Sequence, residues 1–485
     1  MTHVYQQILH RMTSFYSRAE RTALQLLIQR LTVAAGGMER IGNYRVLVVQ
    51  NGSRDSFYML TALRAAQLSI AGRNPATFNL RVATPRLTHT TQWTLENIHR
   101  GHSALFLYDD PRVELLMTDN REVVPFNHKQ AYSLTGLEAS RMDGLVLGHL
   151  RPSDDLSQVG DDGYLAMAEF YRHMIRWEAG VDSLVSCDSP RQQKQFMSRL
   201  QRASRKIGHA VDLCEGFDGL FAQLERLGDD IYTGFCGQEG HGAWRPENNF
   251  ESRRPVGYIG IHDLITGHPE TNHWPLLNEF LRVKTDGLTV SAHENEYLTP
   301  LLSAHMHGLN ACYLQGRSYE AGYSEYVQRI LMILHRRLPP EQACGQARKL
   351  FGPPSAMAEH RIQADLEAQK MLGLNETQLV CMLAAPFAGK GAGLEPFLRS
   401  CHPGMLVAMP DLHKAMRGKA ISDQVTQWMT DVSGLSLNML GRVYQSSIAW
   451  LRPQNPVAVR RRGVVERADN EEAGRGGFYE RTARH

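Results

Sequence analysis

The chain has 485 residues, of which 42% are hydrophobic and 21% charged, and its formal net charge is +3. That length calls for two or three domains with well-buried cores, and the balance of apolar and charged residues excludes wholesale disorder. So small a charge over so large a surface gives no general attraction for polyanions, and any nucleic-acid contact has to be local.

The seven cysteines, Cys187, Cys214, Cys236, Cys312, Cys344, Cys381 and Cys401, are odd in number and form no CxxC pair. This fits neither a disulfide framework nor a thiolate zinc site, and it points to a reducing, cytoplasmic compartment. The N-terminus, MTHVYQQILHRMTSFYSRAER, is polar and charged from the outset, unlike a secretory signal. No apolar run approaches the roughly 18 residues of a transmembrane span. Of the 53 basic residues only nine are lysines, a bias that suits phosphate recognition but that a GC-rich coding sequence produces equally well.

Val4, Ile8, Met12, Phe15, Ala19, Ala23, Leu27 and Leu31 recur every three or four positions, which predicts one long amphipathic helix ending near Gly36-Gly37. A run of alternating strand and helix signals follows. Tyr44 to Val49, Phe78 to Val82, Leu105 to Tyr108 and Val113 to Met117 read as strands, and Phe57 to Ile70 and Thr94 to His99 as helices. Residues 1–150 are therefore expected to form a small α/β domain. The loop after its first strand, Gln50-Asn51-Gly52-Ser53-Arg54-Asp55, lacks the GxGxxG spacing of a dinucleotide site.

Beyond the polar linker 151–163 the pattern turns helical, so residues 164–452 are expected to form a larger, helix-rich domain. A helix over Tyr164 to Trp177 is followed by one that starts at Ser189-Pro190. The second carries Arg191, Lys194, Arg199, Arg202, Arg205 and Lys206 without an intervening acid. A solvated face is the ordinary reading of such a run, and a surface for phosphates or an acidic protein is the alternative. Val256 to Ile261 is a strand candidate. Further helices are expected over Leu301 to Gln315, Tyr319 to Leu338, Ser355 to Leu372, Asp411 to Met416, Ser422 to Val432 and Leu437 to Leu451. Met405 to Met409 is at most a short strand, cut off by Pro410. The segment 453–485 mixes charge with glycine and reads as a flexible tail.

Six of the 21 histidines fall between Tyr258 and Asn310. His262 and Asp263 follow a strand directly, and His268 and His293 are expected to complete a divalent-metal set from loops, zinc for example, with Glu296 or Glu294 as the base for a bound water. His305 and His307 point about 200° apart on a helix and are not expected to share a metal. Leu379 to Gly393 resembles a P-loop in outline, but Ala384 replaces its first glycine and Gly391 its hydroxyl residue.

The overall expectation is a mixed α/β protein: a small N-terminal α/β domain, a predominantly helical region and a flexible C-terminal tail. With no complete catalytic signature, the function expected is interaction with other macromolecules, as an assembly or adaptor component of a multiprotein machine with a protein partner. The alternatives are a metal-dependent hydrolase using the histidine-rich stretch and, more weakly, nucleic-acid binding through the basic helix 191–206.

Overall fold

The structure is a computed structural model and describes residues 3–87, 90–119, 122–150, 156, 159–206, 219–226, 255–265, 274–284, 298–335, 340–352 and 357–446. Its fold is mixed α/β with a mostly helical region. Among the described residues, no helix is long and apolar enough to cross a membrane. The expected tail, 453–485, lies outside them.

The apolar-rich runs RVLVV, NLRVAT and VELLMTD form β1 (Arg45–Val49), β2 (Asn79–Thr84) and β3 (Val113–Asp119). With β4 (Glu122–Pro125), β5 (Ser183–Ser186) and β6 (Gly257–Gly260) they make one sheet in the order β4-β3-β2-β1-β5-β6. All pairings are parallel except β3 with β4. The sheet thus draws strands from beyond residue 150, up to Gly260. β5 reads SLVS, too short to stand out as a strand, whereas β6, GYIG, falls inside the expected strand Val256 to Ile261, and both pair with distant partners.

Strand alternation sends successive side chains to opposite faces. Val46, Val48, Leu80 and Val82 pack under α1 (His3–Ser14), α2 (Arg18–Ala34), α3 (Arg54–Ala71) and α4 (Gln92–Ala104). Leu47, Ala83, Leu116 and Leu184 pack under α6 (Asp162–Arg176), α7 (Pro190–Lys206) and α8 (Gly219–Arg226). The result is a three-layer, doubly wound arrangement. Strand order runs outward to β2 and β3 on one side of β1 and to β5 and β6 on the other, so the winding reverses between β1 and β5.

Three local expectations change. The single long N-terminal helix is two, because Ser17 caps α2. Its Oγ accepts from the Glu20 N–H at 3.2 Å, and the Glu20 carboxylate accepts from the Ser17 N–H at 2.7 Å, a capping box set inside an apolar stripe that runs on across the break. Leu105 to Tyr108 is a turn after α4 rather than a strand. The buried Arg64 guanidinium donates to the carbonyls of Leu105 (3.2 Å) and Phe106 (3.1 Å), and Phe106 takes φ +50°. Met405 to Met409 is not a strand either: Pro403–Ala408 forms a 3-10 turn that leads into the next helix.

The helical half comprises α10 (Pro300–Leu309), α11 (Tyr319–His335), α12 (Pro340–Phe351), α13 (Met357–Leu372), α14 (Glu376–Ala384), α15 (Leu394–Cys401), α16 (Met409–Ala415), α17 (Asp423–Ser433) and α18 (Leu437–Gln445), after a short α9 (His262–Ile265). Its core is separate from the two cores of the sheet. The connecting helix α5 (Leu134–His149) places Leu145 and Val146 in the helical core and Leu147 in the sheet core.

Candidate functional site

In doubly wound sheets, ligand sites lie outside the strand carboxyl ends, where the winding reverses. Here that place is bounded by the β1–α3 loop, the β5–α7 loop and the start of α9. His262, at the start of α9, shares a hydrogen bond between its Nδ1 and the Cys187 carbonyl, 3.2 Å apart. Asp188 bonds with the Ser186 hydroxyl, which donates to Oδ2 at 3.0 Å. Burial pushes the Asp188 carboxyl up, the Ser186 bond opposes this, and the nearby Asp55 carboxylate adds to the rise. Burial, reinforced by Asp188 and Asp55, likewise pushes up the Cys187 thiol. A thiol pushed up in this way is a poor nucleophile. Sequence reasoning passed over Asp55, Cys187 and Asp188, and the signal it lacked was that SLVS is a strand.

Asp263, next to His262, turns to α2. Arg30 grips it with two bonds, at 2.9 and 2.5 Å, and also donates to the Gly260 carbonyl at 2.8 Å. The Arg30 hydrogen bond holds the Asp263 carboxyl below its ordinary range. The two residues expected to begin a metal site thus already have protein partners on different elements. Among the described residues, no three His, Cys, Asp or Glu side chains are placed to hold one metal ion. His268, His293, Glu294 and Glu296 lie outside the described residues. His305 and His307 part as expected: His305 bonds the Tyr319 hydroxyl at 2.8 Å, whereas His307 stacks on Tyr326 and bonds Arg329 at 3.0 Å.

The six basic residues of α7 divide into two sets. Arg202 donates two bonds to buried Asp161, at 2.8 and 2.6 Å, and Lys206 donates a third at 2.8 Å. The Arg199 guanidinium lies 5.6 Å from the centre of the Tyr164 ring. These three hold α7 to α6. Arg191, Lys194 and Arg205 are exposed, so the face open to an outside partner carries half the charge that the sequence suggested.

The helical half presents a different kind of surface. One side of α13 is buried through His360, Ala364 and Ala368. On its outer side Ile362 and Leu366, one turn apart, are 64% and 58% exposed, with exposed Ala358 one turn before them. Their spacing was visible in the sequence, but which face would be buried was not.

Comparison with family models, with curated proteins and with solved structures finds no match to this chain.

Proposed function

We propose that this protein acts by binding another protein, as an assembly or adaptor component, with the outer face of α13 as a principal contact. The observation that carries the reading is the stripe Ala358, Ile362, Leu366, because two large aliphatic side chains adjacent on one helix face form a patch. Covering a side chain of this size fully is worth about 1.5 to 3 kcal/mol, and Ile362 and Leu366 are each more than half exposed. A partner that covers both therefore gains about 2 to 4 kcal/mol, a central contribution to a larger interface. The exposed cations Arg191, Lys194 and Arg205 on α7 supply a second, charge-selective surface.

The test is affinity purification of the tagged full-length protein from its own cells, wild type beside Ile362→Asp/Leu366→Asp, with circular dichroism melting as the control for folding. The double variant is expected to melt like the wild type and to lose at least one partner. An unchanged set of bound proteins would overturn the reading.

A further inference from the structure

Three polar groups at the carboxyl ends of neighbouring strands are buried without a hydrogen-bond partner among the described residues: Nε2 of Gln50, Oγ1 of Thr84 and Nη1 of Arg86. Gln50 and Thr84 are fully buried and Arg86 nearly so. Buried polar groups in native proteins are almost always satisfied, so three on one sheet edge need an explanation.

Their placement follows from the register. Val49 pairs with Ala83, and the Gln50 N–H donates to the Ala83 carbonyl at 2.9 Å, so Gln50 and Thr84 stand side by side. Both have the parity of Val48 and Val82 and face the layer of α3 and α4. The Gln50 amide is fixed in orientation, because its Oε1 accepts from the Gly52 N–H at 3.1 Å and from the Ser56 hydroxyl. Turning it over would set its NH2 against the Gly52 N–H and lose that bond, so Nε2 is the free end.

Arg86 lies two residues past Thr84. Its N–H donates to Thr118 Oγ1 at 3.4 Å, Nη2 donates to the Gln130 carbonyl at 2.7 Å, and the guanidinium is 5.3 Å from the centre of the Tyr132 ring. Asp119 acts on it only through space. The Asp119 carboxylate is occupied in accepting from the Ser133 N–H (3.3 Å), the Ser133 hydroxyl (3.0 Å) and Gln130 Nε2 (3.4 Å). A guanidinium stays charged in proteins, so this one is nearly buried with no bonded counter-ion among the described residues.

Two helix N-termini flank the same edge. α3 begins after Ser53 and α4 after Thr91, each capped by that side chain. The β1–α3 loop is pressed against the first turn of α4, where a Cβ on Gly52, at φ +79°, would come within 2.3 Å of Thr94 Cγ2. Helix N-termini favour negative charge.

We infer that this edge, formed by Gln50, Thr84 and Arg86 with the N-termini of α3 and α4, binds a phosphate group, either inorganic phosphate or the phosphate of a small molecule. An amide N–H, a hydroxyl, a cation and two dipoles all supply what an oxyanion lacks. Because the donors belong to separate side chains rather than one planar fork, a tetrahedral anion suits them better than a flat carboxylate. The site is independent of the α13 surface and stands or falls without it.

The test is calorimetric titration of the full-length protein with inorganic phosphate, a nucleoside 5′-monophosphate and the free nucleoside, at constant ionic strength. Phosphate or the monophosphate is expected to bind and the free nucleoside to bind far more weakly or not at all. Binding of both phosphates alike assigns the site to the bare anion, and binding of the monophosphate alone assigns it to a phosphorylated small molecule. Arg86→Gln is expected to weaken binding by about 10- to 100-fold, the range for a lost charge-assisted bond. Thr84→Val, which keeps the side-chain shape, is expected to weaken it less while the melting temperature holds. No binding by either phosphate, or equal binding by the wild type and a folded Arg86→Gln or Thr84→Val, would overturn the inference.

Discussion

Replacing Asp161 by alanine tests whether α7 is first an internal strut. Asp161 is fully buried, Lys206 is 1% exposed and Arg202 is 32% exposed at the side chain. Removing the carboxylate breaks the buried ion pair with Lys206 from one side, which costs about 3 to 5 kcal/mol. Arg202 regains water and contributes about 1 kcal/mol at most. The neighbouring Asp162 partly offsets the loss, since it already feels Lys206 and is freed from the repulsion of Asp161. The net expectation is a loss of about 2 to 4 kcal/mol, close to a 100-fold fall in the protection of α7 amides. Hydrogen exchange is the right assay, because a chain with several cores does not unfold in one step. Asp161→Ala/Lys206→Met should recover most of the loss, as apolar replacement of a buried pair is close to neutral. If the single variant loses less than about 1 kcal/mol, or the double variant is no better than the single, the argument that these charges are structural fails.

Asp162 supplies a pH dependence of opposite sign to the usual carboxylate. Burial, then the charge of Asp161, raises it from 3.8 to about 6, so the folded state holds its proton more tightly than the unfolded state. Stability from this group is complete below pH 4 and falls as pH rises through 4 to 6. Discounted for partial exposure, the loss is about 1 to 3 kcal/mol. Asp162→Asn should therefore melt higher than the wild type at pH 7.5 and alike at pH 4, and thermal melts showing the same difference at both pH values would contradict this. For the metal question, elemental analysis of purified protein is expected to find no stoichiometric zinc, manganese or iron, since Arg30 occupies Asp263 and no three ligand side chains converge among the described residues. One equivalent of metal that disappears in His262→Ala would restore the hydrolase reading.

Legibility in the sequence followed the range of the interaction. β1, β2 and β3 carry their own apolar runs, and the helices of the second half carry their own periodicity and caps, as with Thr299 before α10 and Ser422 before α17. β6 lies within a strand the sequence did signal, whereas β5 has four residues and exists through pairing with β1, more than a hundred positions away, and with β6, more than seventy away. The basic helix misled for the same reason. Its six cations were plain, but Asp161, which neutralises two of them, lies 41 and 45 positions away. The N-terminal break is the opposite case: Ser17 and Glu20 were in view, and the continuous apolar stripe outweighed them.

The two proposed surfaces sit on different halves, and α5 decides how far they act as one body. It buries Leu147 in the sheet core and Leu145 and Val146 in the helical core, which its C-cap Leu150 also joins. Gly148 permits the closest approach, since a Cβ there would lie 2.4 Å from Met382 Cγ and Sδ on α14. At the end of α5, His149 Nε2 lies 3.4 Å from the Ser433 carbonyl of α17. A helix packed tightly on both sides resists sliding, because packed interiors are dense and deform little. A phosphate held at the sheet edge would therefore stabilise the frame that presents α13, without any need for a moving part. This makes a fixed scaffold the simpler reading of the fold than a switch, and an adaptor needs no more than that.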